Sequence, residues 1–114
     1  MKVERIGNIT TAEEYAQAWY LYQKEYPEYK DTDLLKEYEW ILIATKKSNV
    51  VGIITANKYT PKKALVCNTI TRSKHESELL SEELLRGLGT HLRRQGYTQI
   101  LLAQDLKLVL DLRN

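Results

Sequence analysis

Apolar residues change their spacing along this chain, and each change marks an element. Lys2 to Ile6 alternate weakly and predict a short first strand, closed by Gly7-Asn8. The run Thr10-Thr11-Ala12-Glu13-Glu14 then holds two overlapping capping boxes, Thr10 with Glu13 and Thr11 with Glu14, in which hydroxyl and carboxylate each satisfy an orphan backbone donor. A helix starts there. Its apolar positions Tyr15, Ala18, Trp19, Tyr22 and Tyr26 fall on one face, and Pro27 ends it. In the charged stretch Glu28 to Glu39, Asp31-Thr32-Asp33 offers a cap for a short helix through Tyr38.

Trp40 to Thr45 is near-continuously apolar, Lys46-Lys47-Ser48-Asn49 interrupts it, and Val50 to Ala56 resumes it, the pattern of a β-hairpin. A second turn at Thr60-Pro61-Lys62-Lys63 leads into Ala64 to Thr71, the third strand of a meander. From Ser73 the period lengthens. Leu79, Leu80, Leu84, Leu85, Leu88 and Leu92 recur at helical spacings and predict a helix from about Glu76 to Gln95. Arg93 and Arg94 suit the dipole of its last turn, and Gly96 supplies a left-handed stop. Tyr97 to Ala103 reads as a buried strand. Leu106, Leu108, Leu110 and Leu112 alternate at period two, giving an edge strand or, alternatively, a short helix capped by Asp105.

Gly87 and Gly89 lie close together ahead of a cationic run, as in a phosphate-cradling loop, but the leucine pattern places them inside the long helix. Each costs about 1 kcal/mol relative to alanine there, so close approach of the helix to the sheet should compensate.

A chain of 114 residues with 43% hydrophobic and 28% charged residues matches one domain, residues 1–114, with a single core. The net charge of +2 comes from 17 basic and 15 acidic residues scattered together, so nucleic acid is not indicated. No apolar run nears the roughly 18 residues of a membrane span, and Met1-Lys2-Val3-Glu4 lacks a signal-peptide core, which predicts a cytoplasmic protein without membrane contact. Cys67, the one cysteine, reads as a small core residue in a reducing compartment. His75 and His91 have no partners at metal-ligand spacing and read as surface residues, so no metal is expected. Eight tyrosines and two tryptophans without phenylalanine call for amphipathic burial, with some aromatics left for an interface.

The order of strand, helix, short helix, three-strand meander, helix and strand resembles the GNAT superfamily of acetyl-CoA-dependent N-acetyltransferases over residues 1–104. "ILIATKKSNVVGIITANKY" resembles that family's second and third strands, and "ALVCNTITRSKHESELLSEELLRGLGTHLRRQGYTQILLA" its fourth strand, pyrophosphate loop, long helix and fifth strand. The resemblance implies an α/β fold with a mixed, mainly antiparallel sheet and helices on its faces. It places the coenzyme loop, Arg or Gln followed by glycines in the family, on Glu76 to Ser81, where none of the family's required residues except a small one at Ser81 is present. Glu76, Glu78, Glu82 and Glu83 favour the helix start and oppose a diphosphate there. Should the coenzyme bind, the implied contacts are Arg72, Lys74, Ser77, Leu79 and Ser81.

The family's leaving-thiolate tyrosine after the fifth strand and its fourth-strand base have no counterpart, so no catalytic residue is assigned. The leading expectation is an acetyltransferase-like, catalytically impaired protein that binds a protein partner or itself, an accessory or inhibitor of the kind mobile elements carry. The alternative is an active N-acetyltransferase of a protein or small-molecule amine, with acetyl-CoA as cofactor and fourth-strand backbone amides on the acetyl carbonyl.

Overall fold

The computed structural model describes residues 3–29 and 34–113. Strand β1 (Arg5–Asn8) is followed by helix α1 (Ala12–Glu25), 3-10 turns at Pro27–Tyr29 and Leu34–Glu37, strands β2 (Trp40–Lys46), β3 (Asn49–Thr60) and β4 (Lys63–Thr71), a 3-10 turn at Lys74–Glu76, helix α2 (Ser77–Arg94), and strands β5 (Gln99–Leu102) and β6 (Leu108–Asp111). The six strands form one sheet in chain order. Every neighbouring pair is antiparallel except β4 and β5, which run parallel because α2 carries the chain back between them. The expected α/β sheet of mixed, mainly antiparallel type is the observed one.

Each helix covers one face of the sheet. On one side Leu80, Leu84, Leu88 and Leu92 of α2 pack on Leu42, Ala44, Val51, Ile54, Val66 and Ile100. On the other, Ala18, Leu21 and Tyr22 of α1 meet Ile43, Val50, Ile53 and Ile70, with fully buried Leu35 filling the end of the layer.

Several boundaries differ from the pattern-based expectation, each for a tertiary reason. Strand β1 runs through Gly7 and Asn8 instead of stopping before them, because β2 offers Ile43 and Leu42 as pairing partners. Thr11 alone caps α1, accepting from Glu14 N at 3.0 Å. No Thr10–Glu13 box forms; the Glu14 carboxylate instead accepts from Thr10 N at 2.9 Å and from Arg5 at 2.6 Å, tying α1 to β1. Leu21, outside the aromatic stripe, is buried beside Ala18 and Tyr22, while Tyr29 stays 44% exposed. Strand β3 continues four residues beyond Ala56 to Thr60, because β4 pairs with it along that length. Asp31, Thr32 and Asp33 lie outside the described residues, and the short helix after them is the 3-10 turn ending at Glu37. The β2–β3 connection tightens to Lys47 and Ser48, both at positive φ, as the twist of a two-residue hairpin requires. Strand β5 is shorter than Tyr97 to Ala103, since its register with β4 runs only from Gln99 to Leu102.

The tail forms strand β6, and of its two readings the helix is not found. Val109 is an extra residue between the pairs Ile100↔Leu110 and Leu101↔Leu108, which breaks the strict leucine alternation: Leu112 is buried and Leu108 is 47% exposed.

The helix glycines have the compensation that their cost demanded. A Cβ on Gly87 would lie 2.6 Å from Ile6 Cγ2 of β1, and one on Gly89 would lie 2.7 Å from Leu110 Cδ2 of β6. Two residues apart on a helix project about 200° apart, so the two edge strands approach α2 from opposite flanks. Ile6 is β-branched and stiff, whereas the Leu110 methyl is the end of a flexible side chain. Gly87→Ala should therefore destabilise the fold by about 1–3 kcal/mol, and Gly89→Ala should lie near neutral as helix propensity offsets a smaller clash. Urea unfolding of the two variants checks this, and the reverse order would contradict the packing.

Candidate functional site

Strands β4 and β5 pair only from Lys63↔Gln99 to Val66↔Leu102. Ala103 N still donates to Val66 O at 2.9 Å, after which the chain turns away through Leu106 at φ 61. Strand β4 runs on through Thr71 without β5 beside it. At the point of parting sits a bulge: Val66 pairs with Ala56 and Asn68 with Thr55, leaving Cys67 as the extra residue. Its effect is visible in the core. Val66 packs on the α2 side and Ile70 on the α1 side, although residues four apart in a regular strand share a face.

The parting leaves a notch of about 230 Å³ between β4, β5 and α2, walled by Val66, Leu85, Leu102 and Val109 and marked by Thr69, Ser81 and Glu82. The bulge turns Asn68 to the other face. There its Nδ2 donates to Tyr38 Oη at 2.8 Å and to Thr55 Oγ1 at 3.0 Å, and the Tyr38 and Tyr22 hydroxyls lie 3.1 Å apart. Burial and then the Tyr38 hydrogen bond push Tyr22 well above the usual tyrosine range. Burial likewise raises the Cys67 thiol, against a smaller opposing hydrogen bond from the Asn57 backbone. The half-buried thiol is thereby kept protonated, in keeping with a packing role rather than that of a nucleophile.

The start of α2 decides what the notch can hold. Ser73 Oγ accepts from His75 N at 3.3 Å, and Ser77 N and Oγ both donate to Lys74 O. The helix proper begins at Ser77, so Leu80 and Ser81 already lie within it. Amides from the second turn of a helix onward bond carbonyls four residues back and are not open to a ligand. Glu82 at the mouth of the notch pairs with Arg86 at 2.7 Å.

The five residues proposed for a coenzyme do not converge. Ser81 lines the notch. Arg72 and Lys74 line clefts on the α1 side with Leu21 and Lys24. Leu79 is 54% exposed over a crevice with Val3 on the β1 flank, and Ser77 marks the junction of the 3-10 turn with α2. Val66, Thr69, Leu85 and Leu102 were missed as site residues. The polar Asn68 and Thr69 within an apolar strand were the one available signal. His75 is exposed, His91 lies 2.9 Å from Gln95, and no metal-binding group is found among the described residues.

No protein-family model matches the sequence, and no curated protein matches it. Solved structures match it in shape. Aminoglycoside 6'-N-acetyltransferase from Enterococcus faecium aligns with a TM-score of 0.74 at 17% identity, over 86% of this chain and 59% of that one. A GNAT family acetyltransferase from Elizabethkingia anophelis, with acetyl-CoA bound, gives 0.64 at 13% identity over 86% and 63%. PaiA N-acetyltransferase from Thermoplasma acidophilum, in complex with coenzyme A, gives 0.63 at 14% identity over 90% and 79%. The chain has the GNAT fold. It spans less than two thirds of the first two of these enzymes.

The tyrosine network makes stability depend on pH. Unfolded tyrosine ionises near pH 10 while Tyr22 keeps its proton, so the native state holds more protons and stability should fall as pH rises above about 10. Tyr22→Phe should remove about one proton's share of that slope, ~1.4 kcal/mol per pH unit. Urea unfolding at stepped alkaline pH measures it, and an unchanged slope in the variant would sink the assignment.

Proposed function

We propose that this chain is a GNAT-fold protein of the cytoplasm, impaired for acetyl transfer, that works by binding a macromolecular partner. The observation that carries the reading is the winding of Ser77 to Ser81 into α2. A coenzyme diphosphate needs open amides and close backbone approach, but Leu80 and Ser81 lie in a continuing helix, with Glu78 in its first turn and Glu82 at the notch. Aromatic surface supports partner binding: Tyr20, Tyr29 and Tyr59 are 64%, 44% and 48% exposed.

The bulge and the parting of β4 from β5 favour a second reading, an active acetyltransferase. In it the apolar walls of the notch take the pantetheine arm of acetyl-CoA and a β4 amide beside Cys67 faces the acetyl carbonyl. PaiA is known with coenzyme A on the same fold.

Calorimetric titration separates the two. The wild type should show no saturable heat with acetyl-CoA up to about 1 mM. Micromolar affinity in the wild type, lost in Lys74→Glu, would establish the second reading instead.

A further inference from the structure

A groove of about 660 Å³ runs along the flank of α1, away from the notch. Buried Leu21 and Val50 line its floor, and exposed Ala16 and Tyr20 flank it. The floor is fixed, since Gln17 Oε1 accepts from Val50 N at 2.6 Å and ties the helix to the first residues of β3. A cleft of about 190 Å³ continues it, sharing Leu21, Lys24 and Arg72 and adding Lys74. Three cations thus meet at one end, with Glu25 the one carboxylate lining the cleft among the described residues, while Glu13 lines the far end. None of the three cations forms an ion pair with a described residue. Glu13 and Lys24 are eleven residues apart on α1, roughly 16 Å along its axis.

We propose that this groove docks an amphipathic helix from a protein partner, acidic at its N-terminal end and lying antiparallel to α1. The inference rests on the binding function proposed above and names the partner's chemistry. Helices place carboxylates in their first turn and cations in their last. Only the antiparallel arrangement sets the acidic start against Lys24, Arg72 and Lys74 and the basic end against Glu13. The partner's apolar stripe then covers Ala16 and the Tyr20 ring above the Leu21 and Val50 floor, as in helix-in-groove recognition. About three turns of helix match the length of the groove.

The test is a titration followed by amide NMR. The probe is a synthetic peptide of about 12 residues with two glutamates in its first turn, leucines at helical spacing and lysines in its last turn. Expected are shifts at Ala16, Tyr20, Asn49 and Val50. A nitroxide on the peptide's N-terminus should broaden Arg72 and Lys74, and one on its C-terminus Glu13. Replacing the peptide's glutamates by glutamines, or making the R72E/K74E variant, should weaken binding about tenfold, and Ala16→Arg on the exposed flank should block it. Absent shifts, shifts centred on Lys58 to Lys63, equal affinity for the glutamine peptide, or reversed broadening would each overturn the proposal. Acetyl-CoA affinity is read separately: a protein silent to both ligands loses this docking site alone, and one that takes both loses the impaired-enzyme reading alone.

Discussion

Helix α2 is held from both flanks, by Ile6 where Gly87 has no side chain and by Leu110 where Gly89 has none. Most of the architecture follows from that grip. The leucine face between the two flanks lies on the sheet, and both edge strands close on the helix, so its position relative to every strand is fixed. Its start is fixed as well. Because β4 ends at Thr71 and the 3-10 turn Lys74–Glu76 leads without a break into Ser77, the helix occupies residues that an open anion-binding loop would need.

That placement divides the chemistry of the molecule between the two faces of the sheet. On the α2 face, the parting of β4 from β5 leaves an apolar notch with a carboxylate at its mouth. On the α1 face, Arg72 and Lys74 join Lys24 beside a groove. Cations that would draw a diphosphate toward α2 stand beside α1 instead. The Cys67 bulge adjusts both faces at once, since it sends Thr69 to the notch and Asn68 to the tyrosine network.

Much of the fold was legible in the sequence, because the period of a helix or strand is set by local geometry. The leucine spacing located α2 to within a residue at each end, and the cost of Gly87 and Gly89 foretold the close contacts they make. Boundaries set by a distant partner were not legible: β1 extends through Gly7 and Asn8 because β2 pairs with them, and β3 reaches Thr60 because β4 does the same. Bulges at Cys67 and Val109 are likewise register events between strands, so a count along one strand misplaces every face beyond them. For this reason the notch residues escaped notice. The glutamates at the start of α2 were visible in the sequence, but the distance separating Ser81 from Arg72 depends on which face each side chain takes.

Amide hydrogen exchange at Leu80, Ser81 and Glu82 tests the central claim most directly. If these residues belong to a continuous helix pinned at Gly87 and Gly89, their amides exchange slowly in the free protein and coenzyme A leaves them unchanged. Rapid exchange in the free protein, slowed on adding coenzyme A, would mean that the segment is an open loop that closes on the coenzyme, and would contradict the account.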